Sequence, residues 1–189
     1  IYLNGEELEL VSVALDGRLL SDNEYAVDNY GLTVFDLGES HILEIVTDIR
    51  PEQNTALEGL YRSSSMYCTQ CEAEGFRKIT YYQDRPDVLS TFTTTVTANS
   101  ELYPNLLSNG NLIHDELDDD GRKSVTWDDP FPKPSYLFAL VAGNLSVLED
   151  EYTTLSGRRI NLKIFSEPHN IHQCSYAMDA LKRSMRWDE

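Results

Sequence analysis

The stretch Leu89-Ser90-Thr91-Phe92-Thr93-Thr94-Thr95-Val96-Thr97 alternates in character and is rich in β-branched residues. Successive side chains of a strand point to opposite faces, so this is the clearest strand of the chain. Its neighbours keep the same habit. Downstream, Leu106-Leu107-Ser108 is short, Ser124-Val125-Thr126-Trp127 is extended, and Tyr136-Leu137-Phe138-Ala139-Leu140-Val141-Ala142 is almost all apolar and expected to be a central strand. Upstream, Leu8-Glu9-Leu10-Val11-Ser12-Val13 alternates between the turn pairs Asn4-Gly5 and Asp16-Gly17. Tyr25-Ala26-Val27, Leu32-Thr33-Val34-Phe35, His41 through Ile49 and Gly59-Leu60-Tyr61-Arg62 complete the set. Short strands with frequent turns predict a mainly β fold, an antiparallel sandwich or saddle-like sheet.

After Gly143-Asn144 the character changes. Glu151-Tyr152-Thr153-Thr154-Leu155, Ser156-Gly157 and Arg159-Ile160-Asn161-Leu162-Lys163-Ile164-Phe165 read as a hairpin. Beyond Pro168, Tyr176, Ala177, Ala180, Leu181 and Met185 recur at helical spacing.

The chain has 189 residues and a formal net charge of −17. Such a charge repels phosphate backbones and anionic lipid, which argues against nucleic-acid or membrane-surface partners. It mildly favours cationic ligands, although solubility is the plainer account. Three cysteines argue against a disulfide framework and fit a reducing, cytoplasmic compartment. No apolar run approaches the roughly 20 residues that span a bilayer. A start at Ile1 and an end at Trp187-Asp188-Glu189, within the helical pattern, read as a piece of a longer protein.

The stretch with chemistry is Tyr67-Cys68-Thr69-Gln70-Cys71-Glu72-Ala73-Glu74-Gly75-Phe76-Arg77. Gln70 and Glu72 stand two apart, and in extended backbone they project to one face. A carboxylate and an amide oxygen together suit a primary ammonium group.

Thr69-Gln70-Cys71-Glu72, Arg77, Thr80-Tyr81-Tyr82 and Asp84-Arg85-Pro86 also carry a resemblance. So do Leu106 through Asn111 and Asp129 through Gly143. Together they resemble the aminopeptidase N family of zinc metallopeptidases (gluzincin aminopeptidases), most closely its bacterial branch. The resemblance implies that residues 1–144 form the amino-terminal β domain, truncated at its start. It implies that 145–189 open the thermolysin-like α/β catalytic domain, truncated at its end. It places Gln70 and Glu72 at the rim of the active-site cleft, with Glu72 binding the free α-ammonium of a peptide and Gln70 lining the subsite for the first side chain.

The zinc of the family is held by His-Glu-x-x-His and a later glutamate. None of His41, His114, His169 and His172 begins that motif, and the Gly-x-Met-Glu-Asn segment is absent. The resemblance thus implies zinc bound by residues outside this chain, no catalytic residue within it, and no activity in the fragment alone. It implies as partners a peptide with a free amino terminus and the remaining catalytic and C-terminal domains. The rival from another class is a non-catalytic β-sandwich interaction module of the same superfamily, distinguished by whether His-Glu-x-x-His follows Glu189 in the parent chain. A carbohydrate-binding sandwich is disfavoured, because Trp127 and Trp187 lie too far apart in sequence to form an aromatic row.

Other constellations have plainer accounts. Cys68-x-x-Cys71 has the spacing of a redox or zinc half-site but no second pair. His169-x-x-His172-x-Cys174 falls in an expected loop. Glu116-x-Asp118-x-Asp120-Gly121 lacks the glutamate a calcium loop needs at its twelfth position, where Trp127 stands. Asn144-Leu145-Ser146 is a sequon that a cytoplasmic protein does not use. Asp84-Arg85-Pro86-Asp87 reads as a turn with local ion pairs.

Overall fold

A computed structural model describes residues 1–38 and 42–189. It divides into two compact units, Ile1–Gly143 and Asn144–Glu189. The first unit holds the strands β1 (Tyr2–Asn4), β2 (Glu9–Leu15), β3 (Arg18–Leu19), β4 (Tyr25–Val27), β5 (Gly31–Val34), β6 (Leu43–Asp48), β7 (Gly59–Ser63) and β8 (Met66–Gln70). It continues with β9 (Ser90–Asn99), β10 (Asn105–Ser108), β11 (Asn111–Leu117), β12 (Arg122–Lys133) and β13 (Leu140–Gly143). These form antiparallel sheets of order β1-β5-β4, β3-β2-β6, β10-β13-β8-β7 and β11-β12-β9. The mainly β, antiparallel fold expected from the sequence is the fold observed. The expected strand from His41 begins at Leu43; His41 itself lies outside the described residues.

Two cores hold this unit. Leu3 of β1, Leu32 and Val34 of β5 and Val13 of β2 are buried with Tyr81, and Tyr25, Leu43 and Ile45 pack around them. The first two sheets thus share one apolar filling, as in a sandwich. The second core joins Leu106, Val125 and Ala142, with Tyr67, Val96, Ala98 and Trp127 against them.

The β9 alternation works as written. Phe92, Val96 and Ala98 turn inward, while Thr93, Thr95 and Thr97 face out. The outer hydroxyls pair across to β12: Thr95 with Thr126 at 2.9 Å, Thr97 with Ser124 at 2.8 Å, and Thr93 donating to Asp128 at 3.0 Å. Such cross-strand pairs fix register on a wetted face. Strand β12 runs past Pro130 to Lys133, and its register slips between Asp129 and Lys133. A proline cannot donate to the ladder, so the slip falls where the prolines stand.

The apolar run Tyr136–Ala142 is a strand only in its second half. Ser135–Leu137 is a 3-10 turn, and β13 begins at Leu140. Asn109 explains the break: it accepts from Ala139 N–H at 2.7 Å and donates to the Leu137 carbonyl at 3.1 Å, replacing ladder bonds there. The strand that remains is central, between β10 and β8.

The second unit is the hairpin β14 (Ser146–Thr153) and β15 (Arg159–Ser166), then a 3-10 turn at Ile171–Gln173 and helix α1 (Ser175–Asp188). Tyr152, Leu162 and Met178 are its buried residues, with Leu148, Ile160, Ile164 and Met185 around them. The inward face of α1 is therefore set by Met178 and Met185. Of the stripe read from Tyr176, Ala177, Ala180, Leu181 and Met185, Met185 packs on this core and Ala180 is half-buried, whereas Tyr176 is 74% exposed and Ala177 and Leu181 also lie on the exposed side. Positions 178, 182 and 185 follow the same helical spacing, and Lys182 on that face pairs with Asp150 of β14.

Candidate functional site

Strand β8 ends at Gln70, opposite Gly59 of β7. The chain then leaves the sheet: Cys71 is buried, residues 72–75 turn, and Phe76–Lys78 is a 3-10 turn. Gly75 N–H closes the turn on the Cys71 carbonyl at 2.9 Å, and the peptide between Glu72 and Ala73 is cis. Glu72 is thus in a turn, not on the extended segment expected from its spacing. The structure still joins the two polar residues, because the Gln70 side-chain amide donates to the Glu72 carbonyl at 3.1 Å. Both side chains are exposed.

The electrostatics around them come from which partners the neighbouring cations have taken. The Arg77 guanidinium reaches Asp84 at 3.0 Å, Glu74 at 3.3 Å and Glu6 at 3.8 Å. The Lys78 ammonium stands between Glu7 at 3.5 Å, Glu58 at 3.7 Å and Glu6 at 4.0 Å. Among the described residues, no cation or hydrogen-bond donor engages the Glu72 carboxylate. A negative charge and an adjacent amide oxygen are left facing solvent, an arrangement that accepts hydrogen bonds and attracts cations.

Below the turn the packing is dense. Phe76 meets Tyr82, Phe138 and Phe92 edge-on, with ring centroids 5.0, 5.1 and 5.9 Å away, the geometry aromatic quadrupoles prefer. Lys133 lies over Phe92, 4.4 Å from the ring centroid, and pairs with Asp129. Asp84 is buried and bonded to Arg77, while Arg85 and Asp87 form the local surface pair. The reading of this run as a turn with local pairs holds for Arg85 and Asp87, and Asp84 departs from it. Nothing in the local pattern marks Arg77, seven residues back, as its partner.

The remaining constellations supply no chemistry. All three cysteines are free. Burial, then the nearby Asp84 charge, pushes the Cys71 thiol up to about 12, the reverse of what a reactive thiolate needs. Asp118 and Gly121 form the hairpin tip between β11 and β12, where Gly121 N–H donates to the Asp118 carbonyl at 3.0 Å. Among the described residues, no group of three His, Cys, Asp or Glu side chains could hold a metal ion, and no helix is long and apolar enough to cross a membrane.

Residues 2–137 match the Peptidase M1 N-terminal domain family. Over its whole length the chain is 51% identical to aminopeptidase N of Caulobacter vibrioides and 50% identical to aminopeptidase N of Escherichia coli, and it covers 22% of each. Among solved structures it is similar to Legionella pneumophila aminopeptidase A in complex with aspartic acid, with TM-score 0.95 and 41% identity over all of this chain and 22% of that one. An M1 zinc metallopeptidase of Deinococcus radiodurans shares the fold, with TM-score 0.73 and 18% identity over 89% of this chain and 39% of that one. The chain therefore spans about a fifth of the length of the curated relatives it matches. The family match over most of the sequence, with half of all residues identical to those relatives, shows that the chain belongs to the M1 peptidase family and carries its N-terminal domain.

Proposed function

We propose that this chain is the substrate-anchoring part of a zinc aminopeptidase that removes single residues from peptide amino termini. Glu72 accepts the free α-ammonium of the peptide, and Gln70 lines the subsite for the first side chain. The observation that carries the reading is the exposed Glu72 carboxylate, which no cation or donor engages among the described residues, while Arg77 and Lys78 are held by other carboxylates. An ammonium removed from water needs a partner, or it costs several kcal/mol. Holding the amine also fixes its distance to the first peptide bond, which makes the enzyme an exopeptidase.

We assign zinc and the groups that hold it to the rest of the parent chain, because no histidine of this sequence begins His-Glu-x-x-His. Zinc there supplies the activated water and polarises the scissile carbonyl. Residues 145–189 open the catalytic domain, and residues 1–144 are the amino-terminal β domain. The partners are the peptide and the remaining catalytic and C-terminal domains, and the compartment is the cytoplasm.

The test is Glu72→Ala in the full-length parent, assayed with an amino acid arylamide. Losing a desolvated charge partner lowers kcat/KM by the equivalent of about 2–5 kcal/mol, with zinc content unchanged. A variant with wild-type kcat/KM ends the proposal.

A further inference from the structure

We infer that Arg77, Asp84 and Ser135 are positioning residues for the Glu72 acceptor, an inference that rests on the amine-anchoring reading above. The Glu72 carboxylate has no hydrogen bond or ion pair among the described residues, so the backbone of its turn is what directs it. That turn is anchored from beneath. Asp84 is 3% exposed, and its Oδ2 accepts from the Arg77 backbone N–H at 3.2 Å and from Arg77 Nε at 3.0 Å. Its Oδ1 accepts from the Ser135 hydroxyl at 2.5 Å.

Arg77 Nη2 donates to the Asp84 carbonyl at 3.0 Å and reaches the Glu74 carboxylate, two residues from Glu72, at 3.3 Å. Ser135 opens the 3-10 turn that leads into β13, and β13 pairs with β8, with Val141 opposite Cys68. The connections close a ring: β8 leads through the Glu72 turn to Arg77, Asp84 and Ser135, then to β13 and back to β8.

Buried ion pairs are weak devices for stability, since well-packed apolar residues often do as well. What the guanidinium supplies is direction, because its planar fork holds several acceptors at fixed angles. Here it holds the turn that carries the exposed Glu72 carboxylate.

The test uses the full-length parent enzyme and two competitive inhibitors, an α-amino hydroxamate and the same hydroxamate without the amine. Glu72→Gln serves as reference. Arg77→Lys keeps the charge and loses the fork. Ser135→Ala loses one hydrogen bond and leaves the ion pair whole, so it reports even if Arg77→Lys fails to fold. The expected result is a selective loss of about tenfold or more for the amine-bearing inhibitor, within the hundredfold that a 1 Å misplacement can cost. KM for the arylamide rises more than kcat falls, and Ser135→Thr, which retains the hydroxyl, restores both.

Equal weakening of the two inhibitors, or no weakening, while Glu72→Gln keeps its selective loss overturns the positioning role alone. A Glu72→Gln enzyme without selective loss overturns the anchoring reading, and the positioning role falls with it.

Discussion

Gly75 sits so close to Gln70 that a β-carbon added to it would stand 2.3 Å from the Gln70 carbonyl oxygen. The same atom would lie 2.8 Å from the Gly59 nitrogen and 3.1 Å from the Cys71 α-carbon. These neighbours are backbone, so they cannot swing aside as a side chain would. The φ of Gly75 is −79°, so the demand for glycine here comes from close approach and not from handedness. Gly75→Ala should therefore force the end of β8 and the Glu72 turn apart. Overpacking of this kind costs about 1–3 kcal/mol, visible as a lower Tm. An unchanged Tm would show that the turn relaxes freely.

The sequence made the β character legible because its alternation and turn pairs are local signals. Strand β9 shows this best, with threonines out and Phe92, Val96 and Ala98 in. The readings that failed depended on partners distant in sequence. Tyr136–Phe138 is apolar enough for a strand, but Asn109 takes its neighbouring backbone groups. Strand β11 went unread because Asn111–Leu117 is exposed on both sides and carries no alternation. At the site, Gln70 and Glu72 stood out as a close polar pair, whereas Asp84 hid in a charged turn because Arg77 and Ser135, its partners, are seven and fifty-one residues away.

The two aspartates of that turn should behave differently. Asp84 is buried against Arg77, whose side chain is only 12% exposed. Removing Asp84 takes from the largely buried Arg77 its nearest carboxylate and from the buried Ser135 hydroxyl its acceptor, so Asp84→Ala should cost about 3 kcal/mol. Arg85 and Asp87 share an exposed pair, and Arg85→Ala should leave the unfolding midpoint where it was. Urea denaturation of both variants checks this, and comparable losses would contradict the assignment.

In the second unit, Met178 and Tyr176 make the same comparison on α1. Met178 is 4% exposed and packs with Tyr152 and Leu162, while Tyr176 is 74% exposed. Truncating a buried methionine costs about 2–5 kcal/mol through lost transfer energy and the cavity left behind. Met178→Ala should speed hydrogen exchange along α1, and Tyr176→Ala should leave it unchanged. Faster exchange in the tyrosine variant instead would mean that the helix buries its other face.

Cys71 gives the chain an alkaline weakness. Its thiol is raised from 9.0 to about 12, by burial first and the Asp84 charge second. Between those values the unfolded chain gives up a proton that the folded chain keeps, so stability is full below pH 9 and falls as pH climbs toward 12. Burial raises the Tyr81 phenol as well, with Asp28 adding to it, and this acts in the same direction. Cys71→Ala should lower stability at neutral pH, because it leaves a cavity, but should flatten the alkaline decline that urea midpoints record. The thiol should also be labelled more slowly than those of Cys68 and Cys174, which are only partly buried. An alkaline slope equal in wild type and variant would mean that the Cys71 proton leaves as easily from the folded chain as from the unfolded one.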